Sequence, residues 1–167
     1  YAGLRAEQER FRKQGIYRGI GFASFVEVTN PSAAFYGVGG ARISAQDGAT
    51  VRLDATGAIF CHTGVSEQGQ GAEAVIAQCV ATSFGVPMSR VRVVMGDTDN
   101  TPYGGGTWAS RAAGIGGEAA WQAGKALRQN VLAVAGSILQ AKPETMDIRN
   151  GAVVDAASGT ERIGLDE

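Results

Sequence analysis

The sequence predicts an α+β fold with a mixed or largely antiparallel sheet and two main helices. Three observations carry this. Strand-like runs fill much of the first hundred residues and return near the end, and two stretches, 70–85 and 110–141, switch to a helical period. Asp47-Gly48, Thr56-Gly57 and Asn150-Gly151 then separate strand-like runs at hairpin spacing.

Each element follows from its local pattern. Residues 1–14 are good helix formers with Leu4 and Phe11 seven apart, and Gly15 is placed to end a short helix. Residues 16–29 read as one long strand, buried on both faces for part of its length. Ile16, Ile20, Phe22, Val26 and Val28 share one face, and Tyr17 and Phe25 fall on the other. Asn30-Pro31-Ser32 breaks it, and 33–40 is a loop. Strand-like runs at 41–46, 50–55 and 57–64 read as an antiparallel meander. Val75, Ile76, Cys79, Val80 and Phe84 form the stripe of an amphipathic helix that Gly85 stops. Residues 91–96 are a strand and 97–106 a loop rich in Asp, Asn, Pro and Gly. The second helix carries Ala120, Leu127, Val131, Val134 and Ile138 on one face, with glycines crowding its first half, and Pro143 ends it. Asn150-Gly151 predicts a type I′ hairpin over 146–155.

Composition narrows the function classes. Of 167 residues, 44% are hydrophobic and 19% charged, which is globular composition. Fifteen basic residues against sixteen acidic ones give a net charge of −1, so nucleic acid is not an expected partner. One histidine and two cysteines exclude a zinc-finger cluster or a disulfide scaffold. No apolar run approaches the roughly 20 residues of a membrane helix, so no membrane partner is expected and the location is read as cytoplasmic. The 25 glycines are roughly twice ordinary usage. The chain opens Tyr1-Ala2-Gly3 and closes Leu165-Asp166-Glu167. It reads as one domain, 1–167, cut from a longer polypeptide.

Two glycine-rich loops each precede a helix. Gly64–Glu73 places Gly69 and Gly71 where a backbone can approach an anion, with the amides of Gln68 and Gln70 beside them. It matches neither G-x-G-x-x-G nor a P-loop. Tyr103–Arg111 sets three glycines before Thr107, Ser110 and Arg111, offering backbone N–H groups, two hydroxyls and a guanidinium. Each alone is an ordinary strand-to-helix turn or a capped helix start. Together they favour one anion site built from both. His62 reads as a structural strand residue, and Cys61 and Cys79 as small core residues. The run Asp97-Thr98-Asp99-Asn100 reads as turn chemistry, because it lacks the later glycine and bidentate Glu of a calcium loop. No metal ligands are assigned.

The ordered set Gly19-Ile20-Gly21 leading to Glu27, Glu67-Gln68-Gly69-Gln70-Gly71, Gly96-Asp97-Thr98 with Thr101-Pro102-Tyr103, and Gly106-Thr107-Trp108-Ala109-Ser110-Arg111 resembles the molybdenum-binding subunit of the xanthine oxidase family. The likeness spans about residues 16–142. Its wording is similar to the large subunit of aerobic carbon monoxide dehydrogenase and its aldehyde-oxidising relatives.

This resemblance implies a molybdopterin cradle, with the cofactor extended as a cytosine dinucleotide in many bacterial members. Gln68, Gly69, Gln70 and Gly71 would lie at the pterin end, and Thr107, Ala109, Ser110 and Arg111 would supply donors to the pterin and its phosphates. It also implies that the parent is a molybdenum hydroxylase-type oxidoreductase, with electrons leaving through iron–sulfur and FAD-bearing subunits or domains. The family's Gly-x-Gly-Glu catalytic segment is not matched, since Gly37-Val38-Gly39-Gly40 lacks the Glu and stands elsewhere in the order. The family's substrate loop with its active-site Arg is not matched either. No catalytic residue is therefore assigned, and the isolated chain is expected to be inactive. An apolar surface is expected at 16–29 or along the second helix, with a homodimer as one way to cover it. Two other classes stay open: a phosphate- or nucleotide-binding domain without molybdenum, and a non-catalytic structural or interaction module.

Overall fold

The computed structural model describes residues 1–40 and 42–167. Helix α1 spans Ala2–Arg12 and ends before Gly15, whose φ is +73°. Its Gln8 is buried and donates from Nε2 to the carbonyl of Arg18 at 2.7 Å, tying the following segment to the helix.

That following segment, 16–29, is where the reading of a long strand is corrected. It lies outside any regular element and joins no ladder among the described residues. Tyr17, Phe22, Phe25 and Val26 are 79%, 82%, 79% and 99% exposed. The apolar pattern records a preference for burial, but a strand also needs a partner edge for its backbone groups.

The expected three-stranded meander reduces to one hairpin. Strands β1, Ala49–Leu53, and β2, Ile59–Thr63, pair antiparallel with Val51 opposite Cys61. The Asp54 carboxylate closes the turn by accepting from the N–H groups of Thr56 and Ala58. In the run 41–46, Ala41 lies outside the described residues, and 42–46 form no strand. The Gln46 carbonyl accepts instead from the Gly105 N–H at 3.0 Å and from Arg111 Nη2 at 2.8 Å. Its hydrogen-bonding capacity goes to a distant loop rather than to a neighbouring strand.

Helix α2, Ala72–Phe84, leaves β2 and returns the chain as β3, Val91–Met95, which pairs parallel to β2. The first sheet is therefore mixed, in order β1-β2-β3. Helix α3, Gly117–Leu139, is preceded by one wide π turn at Ala112–Gly116, so the predicted helix over 110–141 is irregular at its start. A second sheet follows: β4, Met146–Arg149, β5, Ala152–Asp155, and β6, Glu161–Gly164, all antiparallel. Asn150 and Gly151 turn the hairpin with φ of +54° and +94°, the left-handed pair a type I′ turn needs. Strand β6 was not anticipated, being four residues with a single large apolar side chain, Ile163.

The core joins these parts. Ile76, Val80 and Phe84 of α2 are fully buried and pack with Ile59, Cys61, Ala120, Met146, Ile148 and Val153. On α3 the predicted face holds at Ala120 but not at Val134 and Ile138, which are 60% and 62% exposed. Glycines set the α2–α3 spacing. A Cβ on Gly124 would collide with Ser83 Oγ, and one on Gly117 would stand 3.3 Å from Cys79 Sγ. Gly124→Ala is therefore expected to destabilise the protein by about 1–3 kcal/mol through overpacking, although alanine is the better helix former. Adding Ser83→Ala removes the obstructing hydroxyl. Urea unfolding should show most of that loss recovered in the double variant.

Candidate functional site

The two glycine-rich loops meet. Thr107 Oγ1 accepts from the Ser66 N–H and donates to the Ser66 carbonyl, both at 2.8 Å. Gln68 Nε2 adds a bond to the Thr107 carbonyl at 3.4 Å. Forty-one residues apart in sequence, Ser66 and Thr107 form a reciprocal pair that holds the loops side by side.

Next to this junction lies a cleft of about 440 Å³. Glu27, Gln68, Gln70 and the run from Thr107 to Ala113 line it. Among the described residues, the backbone N–H groups of Trp108, Ala109 and Ser110 donate to no protein acceptor. Ala109 and Ser110 both have positive φ, +46° and +50°, a backbone costly for residues with a Cβ and favoured where function over-determines it. Ser110 Oγ reaches Glu27 Oε1 at 3.4 Å. The Trp108 indole donates to the Gly105 carbonyl at 3.0 Å, and its ring packs 5.4 Å from that of Phe35.

Of the residues singled out from sequence, Gln68, Gln70, Thr107, Ala109, Ser110 and Arg111 line this one cleft. Gly69 and Gly71 do not line it. They stand at the exposed rim of the same turn, with φ of +93° and +83° and open space where a Cβ would sit.

Two sequence-level expectations are corrected. The start of α2 is not a free set of donors. Glu67 Oε1 accepts from the N–H groups of Gly69 at 2.8 Å and Gly71 at 3.0 Å, and Oε2 accepts from that of Glu73 at 2.9 Å. An internal carboxylate already occupies the helix terminus, where the dipole favours it. Arg111 likewise does not present its guanidinium to a ligand. It is 1% exposed, pairs with Asp47 Oδ2 at 3.0 Å and donates to the Gly106 and Gln46 carbonyls. Its Nε is buried without a partner among the described residues.

Sequence reasoning assigned no site role to Glu67, which it used only as part of a motif, or to Asp47, which it read as half of an Asp-Gly turn. An acid just ahead of a helix is a recognisable cap signal for Glu67. Asp47, on an irregular segment rather than the expected Asp-Gly turn and 64 residues from Arg111, carries no such signal.

The Glu73 N–H, then those of Gly71 and Gly69, hold the Glu67 carboxyl below its ordinary range. A depressed folded-state pKa stabilises the turn above pH about 4.5, and that contribution is lost as pH falls through the lowered value. Glu67→Ala should remove it at neutral pH. The amides of Gly69, Gly71 and Glu73 are then expected to exchange about fivefold faster, the scale of one lost helix cap. Hydrogen exchange at pH 7 checks this.

The remaining candidates stay structural. Burial, helped by the nearby Cys79 thiol, pushes Cys61 up to about 12, so it stays protonated and is no nucleophile at neutral pH. His62 Nδ1 lies 3.3 Å from the Asn100 carbonyl. The Asp97 carboxylate accepts from the Asn100 side chain and the Asp99 N–H, as turn chemistry requires. No cluster of three or more His, Cys, Asp or Glu able to hold a metal ion occurs among the described residues. No helix among them is long and apolar enough to cross a membrane.

A family model described as the molybdopterin cofactor-binding domain matches residues 1–166. The chain is 35% identical to the nicotine 6-hydroxylase large subunit of Paenarthrobacter nicotinovorans, over 99% of its own length and 20% of that protein's. It is 34% identical to the carbon monoxide dehydrogenase large chain of Afipia carboxidovorans, over 83% of its length and 17% of that protein's. Among solved structures, quinoline 2-oxidoreductase from Pseudomonas putida 86 superposes with a TM-score of 0.74 at 35% identity. That match covers 99% of this chain and 21% of the other. The chain thus spans about a fifth of the length of the curated relatives it matches. By the family match over residues 1–166, and by relatives above 30% identity, the chain belongs to the molybdopterin cofactor-binding domain family.

Proposed function

We propose that the cleft between the 64–71 and 103–111 loops holds the pterin portion of a molybdopterin cofactor, as one part of the cradle in a full-length molybdenum-dependent oxidoreductase. The observation that carries this is the reciprocal Ser66–Thr107 pair, which makes one cleft of two loops. The donor set fits such a group. Two amides, one hydroxyl and unpartnered backbone N–H groups suit a planar heterocycle with oxygen and nitrogen edges, and the Glu27 carboxylate can accept from ring N–H groups. A phosphate site without pterin is less well served. Among the described residues, the one cation lining the cleft is Arg111, and Asp47 neutralises it.

In this reading Gln68 and Gln70 orient the ring edge, and Gly69 and Gly71 leave the rim open to close approach. Thr107 locks the loops together, while Ala109 and Ser110 donate from their backbone and hydroxyl. Arg111 supports the second loop from beneath. When bound, the cofactor supplies two-electron redox chemistry, and the protein's part is binding and orientation. The parent's partners are iron–sulfur and FAD-bearing subunits or domains, and its cofactor is the cytosine dinucleotide form. Relatives named as large subunits or as a subunit of a dehydrogenase complex support a multi-subunit parent.

The test is cofactor content. The full-length protein should carry molybdenum and an extractable fluorescent pterin. Gln70→Ala with Ser110→Ala should lower both by roughly 30-fold, as loss of two hydrogen bonds at about 1 kcal/mol each predicts. A full-length protein devoid of both would contradict the reading.

A further inference from the structure

We propose that Asp47 is the positioning residue of the cradle, setting the register of the 103–111 loop through a buried anchor with Arg111; this role rests on the cradle reading above. Asp47 lies on an irregular segment before β1, outside both glycine-rich loops. Its side chain and that of Arg111 are both fully shielded from solvent and pair at 3.0 Å. Arg111 carries the anchor onward through its donations to the Gly106 and Gln46 carbonyls, while the Gly105 N–H returns to Gln46 at 3.0 Å. The loop that lines the cleft is thus sewn to residues 46–47 at Gly105 and Arg111, while the Arg111–Gly106 bond closes the loop on itself.

The glycines of both loops are shaped around this carboxylate. A Cβ on Gly64 would stand 2.7 Å from Asp47 Oδ1, and one on Gly104 would overlap it outright. A Cβ on Gly105 would strike the Ser44 carbonyl and stand 2.9 Å from Arg111 Nη1. Asp47 therefore abuts the first loop at Gly64 and the second at Gly104, the two loops whose other residues line the cleft. A side chain confined by both loops couples their relative placement.

The energetics favour a positioning role over a stabilising one. Burial pushes the Asp47 carboxyl above its ordinary range, against the Gly48 N–H and Arg111, which pull it down. A pair whose desolvation outweighs its attractions adds little stability, and apolar replacement of both partners is often tolerated. Removing one partner alone leaves a buried charge and frees the loop.

The experiment uses the full-length protein with Asp47→Asn and with the double variant Asp47→Leu/Arg111→Met. Three quantities are read: molybdenum and pterin content, thermal stability, and hydrogen exchange in 104–111 against 76–84. Asp47→Asn should lose cofactor and speed exchange in 104–111 by roughly tenfold or more, with 76–84 unchanged, the scale at which supporting-shell changes act. The double variant should keep near wild-type thermal stability and still lose cofactor. Cofactor retention within twofold in both variants would overturn the role, as would exchange rising equally in 76–84. If the wild-type protein holds neither molybdenum nor pterin, the cradle reading itself fails. Loop exchange then decides the anchor alone: slow exchange in Asp47→Asn overturns it, and selective acceleration in 104–111 upholds it.

Discussion

Thr107→Val in the full-length protein should sharply reduce cofactor content while leaving the fold intact. Valine keeps the volume and β-branching of threonine but removes the hydroxyl that both accepts from and donates to Ser66. Two hydrogen bonds at about 1 kcal/mol each correspond to roughly a 30-fold shift toward separated loops. The half-buried Ser66 N–H is left without its acceptor, while the Ser66 carbonyl keeps its bond from Gln70 Nε2 at 3.3 Å. Molybdenum analysis of the purified variant should show the loss, with far-ultraviolet circular dichroism unchanged. Thr107→Ser keeps the hydroxyl and should retain most of the cofactor. Equal content in the valine variant would mean that the loop junction does not govern binding.

Phe84→Ala should give the largest loss of stability. The ring is fully buried at the end of α2, in the cluster where the first sheet, α3 and the second sheet meet. The backbone carbonyl of the same residue accepts from Arg128 Nη1 at 2.8 Å, and Arg128 also pairs with Asp147 of β4. Little can move inward to fill the void, so the cost falls at about 3–5 kcal/mol. Denaturant unfolding should show a lower midpoint with the slope preserved. A loss below about 1 kcal/mol would mean that the cluster repacks and does not join the two sheets.

How far these features could be read from sequence depends on the range of the interaction behind each. Helix α2 was legible because its stripe from Val75 to Phe84 is local and Gly85, at φ +104°, ends it through backbone geometry alone. The 146–155 hairpin was legible for the same reason, since Asn150-Gly151 sets both turn dihedrals. The 16–29 segment was misread because alternation of Ile20, Phe22, Val26 and Val28 says nothing about which edge receives the strand. The parallel pairing of β3 to β2 was likewise hidden, because pairing partners are not a local property.

At the site, the residues that line the cleft were legible and the groups that organise it were not. Gln68, Gln70, Thr107 and Ser110 stand in loops marked by glycine and helix starts. Glu67 carried a cap signal, an acid ahead of a helix start, but its bonds to three N–H groups of the turn fill the donors that the glycines were read as offering to a ligand. The guanidinium of Arg111 was read as facing a ligand. Its actual partner, Asp47, is brought to it only by the packing of 42–48 against 103–111.

The most direct measurement is the experimental structure of the full-length protein purified with its native complement of cofactor. The account predicts density for a pterin between Gln68 and Gln70 on one side and Trp108–Ser110 on the other, with Glu67 still capping α2 and Arg111 still paired to Asp47. A molybdopterin bound elsewhere in the full-length protein, with this cleft filled by solvent or by another protein segment, would contradict it.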